Sequence, residues 1–162
     1  MFKYLYDNFS YIIVPLHQIG SIVWIGGMIM FVFAVYPSLR QIPNDKMMIR
    51  TSFRILRRYF AFLFPLSIFL ALSGVVMEFA KDYAKKDPTL GAVVGAKEAI
   101  WVLMFLNLIF AYYKLGDTKK RCMSDDVELA LDNLRLISHY LFVINIFLGL
   151  CAVYLGLVLG RV

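Results

Sequence analysis

Two ionisable side chains that could do chemistry lie inside apolar stretches of this sequence. His17 lies in the apolar stretch 11–35, and Lys97 lies near the start of the apolar stretch 93–113. Each heads a row of residues at helical spacing: His17, Ser21, Trp24, Met28 and Phe31 in one, and Lys97, Trp101, Met104 and Leu108 in the other. Ionisable groups inside a membrane normally face the bundle interior or a watery cavity, because contact with lipid is costly. We therefore predict that the two rows face each other or a shared ligand.

The residue types at this depth favour haem iron as that ligand. Neutral imidazole is a common ligand for iron and copper, and histidine with methionine is an established axial pair for haem. Met77 lies near the end of a second apolar stretch, 59–80, at about the level of His17, so His17 could ligate iron together with Met77 or with Lys97. An unperturbed histidine also titrates near neutral pH, which makes His17 a candidate catalytic proton acceptor, with Lys97 as its charged partner.

Flat and small residues near His17 could form the walls of such a site. Trp24 and Trp101 offer flat apolar faces, and Gly20, Gly26 and Gly27 would let a neighbouring helix or a flat ligand approach closely. Trp24, Gly27 and Trp101 are therefore candidate cofactor-binding residues.

Simpler interpretations of the same residues stay open. His17 could hydrogen-bond lipid headgroups, and Lys97 could extend its ammonium to the surface. His139 lies at the edge of the fourth apolar stretch, on the order of 20 Å from the level of His17 at about 1.5 Å per residue. Asn107 and Asn145 lie in the middle of their stretches and are expected to bond helices to each other.

The elements that must position these residues are membrane helices. Hydrophobic residues make up 61% of the 162 residues, against about 45–50% apolar in soluble domains. A spanning helix needs about 20 mostly apolar residues, and four stretches qualify: residues 11–35, 59–80, 93–113 and 136–158. We therefore predict an all-α integral membrane protein, residues 1–162 as a single up-down-up-down four-helix domain in a lipid bilayer. The start of the sequence shows no cleavable signal peptide.

Positive charge is distributed unevenly between the connecting segments. One side of the predicted membrane carries eleven basic residues: Arg40, Lys46, Arg50, Arg54, Arg57, Arg58, Lys114, Lys119, Lys120, Arg121 and Arg135. The other side carries five: Lys3, Lys81, Lys85, Lys86 and Arg161. Basic loops stay in the cytoplasm, so both termini are predicted to lie outside it. The net charge of +6 is thus explained by topology, and nucleic acid is not an expected partner.

Polar residues predict where two of the helices begin. Asn44 or Asp45 can cap the helix that contains the second stretch, and no helix breaker follows before Pro65. Ser124 is the predicted cap of a helix that runs directly into the fourth stretch. Cys122 and Cys151 lie far apart in one helical region, so we expect no disulfide between them.

The chain resembles the HemJ-type protoporphyrinogen oxidases and, more loosely, the CopD-type copper-resistance membrane proteins. The resemblance starts with the pattern H-x6-W-x2-G, here His17, Trp24 and Gly27. It continues with Arg57, Arg58, Pro65 and Gly74 in the second stretch and Lys97 in the third, in the same order and at similar separations. The chain departs from the HemJ pattern where the first stretch ends without a second histidine, and where Gly95 and Ala96 precede Lys97.

The resemblance implies a haem-b- or porphyrin-binding protein of the bacterial inner membrane, with His17 and Lys97 as its carried-over polar residues. If the oxidase activity is retained, the chain is an oxidoreductase that passes electrons from a porphyrinogen to an unidentified acceptor. The alternatives are a CopD-like protein that handles copper and a non-catalytic membrane subunit. Copper favours several soft donors at one depth, and Met28 and Met30 lie well below His17. A homo-oligomer is compatible with the sequence.

Overall fold

The computed structural model describes residues 1–160, apart from the side chain of Ala84. Arg161, counted above among the basic residues, lies outside the described residues. Within them the chain is helical, without strands, and four helices are long and apolar enough to cross a membrane. They are α1 (Phe2–Leu39), α2 (Asp45–Lys81), α3 (Pro88–Met123) and α4 (Val127–Gly160). A single helical turn, Tyr83–Lys86, joins α2 to α3.

α2 and α3 begin several residues before their apolar stretches, because a polar side chain caps each helix there. The side chain of Asn44 accepts a hydrogen bond from the Met47 amide at 3.0 Å and caps α2. Asp87 accepts one from the Thr89 amide at 2.7 Å, with Pro88 in the first turn of α3, where a missing amide proton costs nothing. As predicted, the second apolar stretch forms one helix with the basic residues before it, from Lys46 to Arg58, and this helix continues through Pro65.

The predicted cap at Ser124 is wrong. Ser124 ends α3, and its hydroxyl donates to the carbonyls of Lys120 and Arg121. Asp125 takes a left-handed conformation with φ of 67°, which reverses the chain, and Asp126 precedes α4 without a side-chain cap. A serine can serve either end of a helix because its hydroxyl both accepts and donates.

Contacts between the helices define two ends of the bundle. At the histidine end, the stacked rings of Phe2 and Phe79 join the start of α1 to the end of α2, and the Tyr83 hydroxyl donates to the Leu159 carbonyl of α4 at 3.4 Å. The arginine end holds the opposite termini of the four helices. There the Lys46–Asp125 ion pair joins α2 to the turn before α4, and Asn133 of α4 donates to Asp117 of α3 at 2.8 Å.

Apolar side chains fill the space between the helices and also cover their outer faces. Phe60, Leu63 and Leu108 are fully buried, and Phe142 packs edge-on against Phe60. Large apolar residues such as Phe33, which is 75% exposed, point outwards along the same helices. An exposed apolar surface of this extent is typical of helices that face lipid.

Two helices contain a π-helical segment, Phe31–Val35 in α1 and Ile137–Leu141 in α4. The segments contact each other, and the edge of Phe31 meets Phe142 with ring centres 5.4 Å apart. A π-helical turn accommodates an extra residue and thereby rotates the faces of the helix that follow it. The row that begins at His17 therefore stays in register only as far as Phe31.

Candidate functional site

The imidazole of His17 is anchored to α2. Its Nδ1 lies 2.7 Å from the hydroxyl oxygen of Ser73, a buried residue. The Ser73 hydroxyl oxygen also lies 2.8 Å from the carbonyl oxygen of Phe69 and 3.2 Å from that of Leu70, and we assign its single proton to these carbonyls of its own helix. The Ser73 oxygen can then only accept, so we assign the donated proton to Nδ1 of His17.

This tautomer leaves Nε2 of His17 with a free lone pair. In a neutral imidazole one ring nitrogen donates and the other accepts, so a proton on Nδ1 makes Nε2 the acceptor. Metal-bound histidines show the same arrangement, because a hydrogen bond at one nitrogen orients the ring and fixes the lone pair of the other. His17 is thus prepared to bind a metal ion or to accept a proton through Nε2.

Glycines set how closely α2 approaches the His17 face of α1. A Cβ added at Gly20 would lie 3.1 Å from Leu70, and one added at Gly27 would lie 2.6 Å from the hydroxyl oxygen of Tyr59. No atom lies within 4 Å of the corresponding position at Gly26, so Gly26 takes no part in this contact between α1 and α2. Gly74 borders the His17 ring, but an added Cβ would make only an ordinary 3.7 Å contact.

Trp24 lies within the core rather than at its edge. Its side chain is 2% exposed, and its backbone carbonyl accepts a hydrogen bond from the Tyr59 hydroxyl at 3.3 Å. Its indole nitrogen is buried and has no hydrogen-bond partner among the described residues. Trp24 and Gly27 therefore fix the contact between α1 and α2 through the same tyrosine.

Lys97 shares the histidine end with His17. Lys97 is half-buried, as His17 is. A Cβ added at Gly156 of α4 would lie 3.2 Å from the Lys97 Nζ, so the ammonium rests against the bare backbone of that helix. In the described part of the chain no carboxylate forms an ion pair with Lys97, and Glu78 lies beside Glu98 instead.

Two other predicted site residues lie at this end. The indole of Trp101 donates to the Ser67 carbonyl at 3.3 Å, and its ring stacks on Phe105 with centres 5.1 Å apart. Met77 is half-buried and lies one turn beyond Ser73 on the same face of α2. Trp101 thus attaches α3 to α2 below Lys97.

The polar groups in the middle of the bundle bind one another. Asn107 of α3 donates to the Asn145 side chain and to the Leu141 carbonyl, both at 2.8 Å. Asn145 in turn donates to the Met104 carbonyl at 3.3 Å. The prediction that Asn107 and Asn145 join helices is confirmed.

His139 lies at the arginine end, apart from His17. It is exposed, within the π-helical segment of α4, and its ring meets the edge of Tyr36 with centres 5.3 Å apart. Tyr36 follows His17 by 19 positions in α1, or about 28 Å at 1.5 Å per residue. The two histidines therefore cannot ligate one metal ion within a single chain.

Groups of metal-ligating side chains and surface grooves indicate what the described residues could bind. They hold no group of three histidine, cysteine or acidic side chains that could enclose a metal ion. Two surface grooves, of about 380 and 310 Å³, lie elsewhere: one is lined by Ala34, Val35, Ser38, Leu39 and Ile55, and the other by residues of α3 from Ile109 to Lys120. A ligand of His17 would therefore lie against the helices at the histidine end.

Ser73 and Gly156 are the site residues that the sequence reasoning missed. Ser73 had a signal, since a serine within an apolar stretch can bond a polar group on a neighbouring helix. No sequence signal indicated Gly156, because its contact depends on where the Lys97 ammonium lies. Comparisons with known protein families, curated proteins and solved structures give no match to this chain.

Proposed function

We propose that this chain is a haem-b- or porphyrin-binding redox protein of the bacterial inner membrane. Its four helices cross the bilayer up-down-up-down as one domain, with both termini outside the cytoplasm. The main support is the 2.7 Å contact of His17 Nδ1 with the Ser73 hydroxyl, which, with the proton assigned to Nδ1, leaves Nε2 with a free lone pair at the histidine end. The unpaired ammonium of Lys97 at the same end adds support, because a porphyrin carries carboxylates.

The residues at the histidine end fit one haem ligand and one anionic partner. His17 would hold the iron through Nε2, and Lys97 would pair with a propionate. Met77, half-buried one turn from Ser73, is the candidate second ligand. A bound haem supplies one-electron redox chemistry.

The chain's own residues orient and protect this site. Ser73 fixes the His17 ring, and the Tyr59 hydroxyl with Gly27 fixes the approach of α1 to α2. If the substrate is a porphyrinogen, its electrons pass to an acceptor outside this chain, and His17 Nε2 is the base in reach for a released proton. His17 and Lys97 are both half-buried, which limits the access of water to them.

The spectrum of the purified protein tests the proposal. We expect a Soret band in the wild-type protein, nearly complete loss of bound haem in His17→Ala, and retention in the matched variant His139→Ala. Loss in His139→Ala but not in His17→Ala would overturn the site. Copper without a Soret band would favour the copper-handling alternative, and neither haem nor copper would favour a non-catalytic subunit.

The orientation is tested separately. The excess of basic residues at the arginine end supports a cytoplasmic location for that end. A C-terminal reporter that is active only outside the cytoplasm should therefore be active, and activity of a reporter restricted to the cytoplasm would reverse the orientation.

A further inference from the structure

Four arginines form a row along the first part of α2. Arg50, Arg54, Arg57 and Arg58 are all exposed, whereas Ile49, Ser52 and Leu56 on the opposite face are buried. Arg54 follows Arg50 by four residues, and Arg57 and Arg58 follow Arg54 by three and four, separations that place side chains on one face of a helix. The row therefore presents guanidinium groups outwards along about two turns of α2.

These arginines differ from Lys46, Arg121 and Arg135 at the same end because they have no acidic partner among the described residues. Lys46 pairs with Asp125, Arg121 with Asp117 and Asp126, and Arg135 with Asp132. Within residues 1–160 no ion pair or side-chain hydrogen bond involves any arginine of the row. The charge of the row is thus available to a partner from outside the chain.

The row lies at the border between the basic segment and the apolar part of α2. Phe62, which is 54% exposed, follows closely after it, and Tyr112 of α3, 48% exposed, packs on the buried Phe60 with ring centres 5.6 Å apart. Lys119 of α3 lies over the Phe53 ring at 5.9 Å, which brings the basic end of α3 beside the row. Positive charge directly above an aromatic and apolar surface matches the layering of a phospholipid, with its phosphate above its acyl chains.

We propose that Arg54, Arg57 and Arg58, with Lys119 beside them, bind the phosphate groups of anionic phospholipids. Guanidinium groups suit this role because their planar donors bind phosphate oxygens in pairs. The proposal rests on the membrane location of the helices and not on haem binding, so the two can fail independently.

Native mass spectrometry of the purified protein, released from detergent after incubation with phosphatidylglycerol or phosphatidylcholine, tests the proposal. Wild-type protein should retain phosphatidylglycerol preferentially. The triple variant Arg54→Gln, Arg57→Gln, Arg58→Gln should retain about tenfold less or lower, since each basic residue near a membrane surface adds to lipid attraction. The triple variant Lys81→Gln, Lys85→Gln, Lys86→Gln removes equal charge at the histidine end and should retain it as wild type does.

The thermal midpoint of each variant shows whether it is folded, and we expect no change for exposed residues without partners. Equal phosphatidylglycerol retention by the arginine variant and the lysine variant would overturn the proposal. So would complete displacement of the lipid by inorganic phosphate, because the row would then bind free anions rather than lipid. Purified protein is used because loss of cytoplasmic arginines in cells could also change the orientation of the chain.

Discussion

The centre of the bundle and its histidine end both place polar groups among apolar helices, but they use those groups differently. At the centre, Asn107 donates to the Asn145 side chain and to the Leu141 carbonyl, and Asn145 donates to the Met104 carbonyl. At the histidine end, His17 uses one ring nitrogen on Ser73 and keeps the other. Polar groups that satisfy one another hold helices together, whereas polar groups with unused capacity can bind something else.

The two regions also differ in the charge of their polar groups. The asparagines at the centre are neutral, and burial with hydrogen bonds costs them little. Lys97 is half-buried, and no carboxylate in the described residues pairs with it. A buried amine without an anion is costly, so a ligand that brings an anion to Lys97 would gain from pairing with it.

The largest effect should come from removing that charge. Lys97→Met keeps the length of the side chain but cannot pair with a carboxylate, and a desolvated anion left alone typically costs a few kcal/mol. We expect haem or porphyrin retention to fall about 100-fold, measured by spectroscopic titration. Lys81→Met, near the end of α2, is the matched control and should retain the ligand. Equal retention in the two variants would place Lys97 outside the site.

Variants of two adjacent glycines test the packing of α1 against α2. Gly27→Ala would displace the Tyr59 hydroxyl and its hydrogen bond to Trp24, and overpacking of this kind costs about 1–3 kcal/mol. Gly26→Ala has open space and should be neutral or slightly stabilising. Thermal unfolding in detergent measures both. Equal midpoints for the two variants would mean that the contact between α1 and α2 is looser than described.

The asparagine pair should affect stability without affecting the ligand. Asn145→Leu removes the bonds to Asn107 and Met104, and polar bonds between membrane helices are worth about 0.6 kcal/mol on average and up to about 1.7. We expect a loss of about 1 kcal/mol in the free energy of unfolding and unchanged haem content. A double-mutant cycle with Asn107→Leu measures the pair itself. Loss of haem in Asn145→Leu would remove the distinction between centre and histidine end.

The smallest effect concerns the ion pair at the arginine end. The Lys46 ammonium lowers the pKa of the Asp125 carboxyl below its ordinary value. A lowered folded-state pKa stabilises the fold above the unfolded pKa, and that contribution is lost as pH falls through the folded pKa. Lys46→Gln should therefore lower the thermal midpoint slightly at pH 7 and not at all at pH 2. A difference that persists at pH 2 would point to packing of the Lys46 stem.

Apolar stretches and capping residues predicted most of the helices, because their signals lie within a few residues of each other. Four long helices and the continuity of α2 followed from hydropathy and from the cap at Asn44. Ser124 misled because the same hydroxyl can end one helix or begin the next. The π-helical segments had no signal, since an extra residue in a turn leaves no mark on composition.

The sequence predicted which residues belong to the candidate site, but not which partners they contact. The depth of His17 and Lys97 along their helices followed from counting residues, and the structure brings both to the histidine end. Which partner each one has depends on helix rotation, which spacing alone does not fix. Glu78 lies beside Glu98 rather than in an ion pair with Lys97, and the bond of His17 to Ser73 was not foreseen.

Pro65 divides α2 between the two proposed sites. Ser73, which orients His17, lies eight residues after Pro65, and Arg58 lies seven residues before it. Because proline has no amide proton, the Ala61 carbonyl loses its helical partner, and α2 is least stiff at this turn. We therefore expect α2 to bend at this turn. Its first half, with the arginines, would then follow the lipid surface while Ser73 in its second half stays bonded to the His17 imidazole.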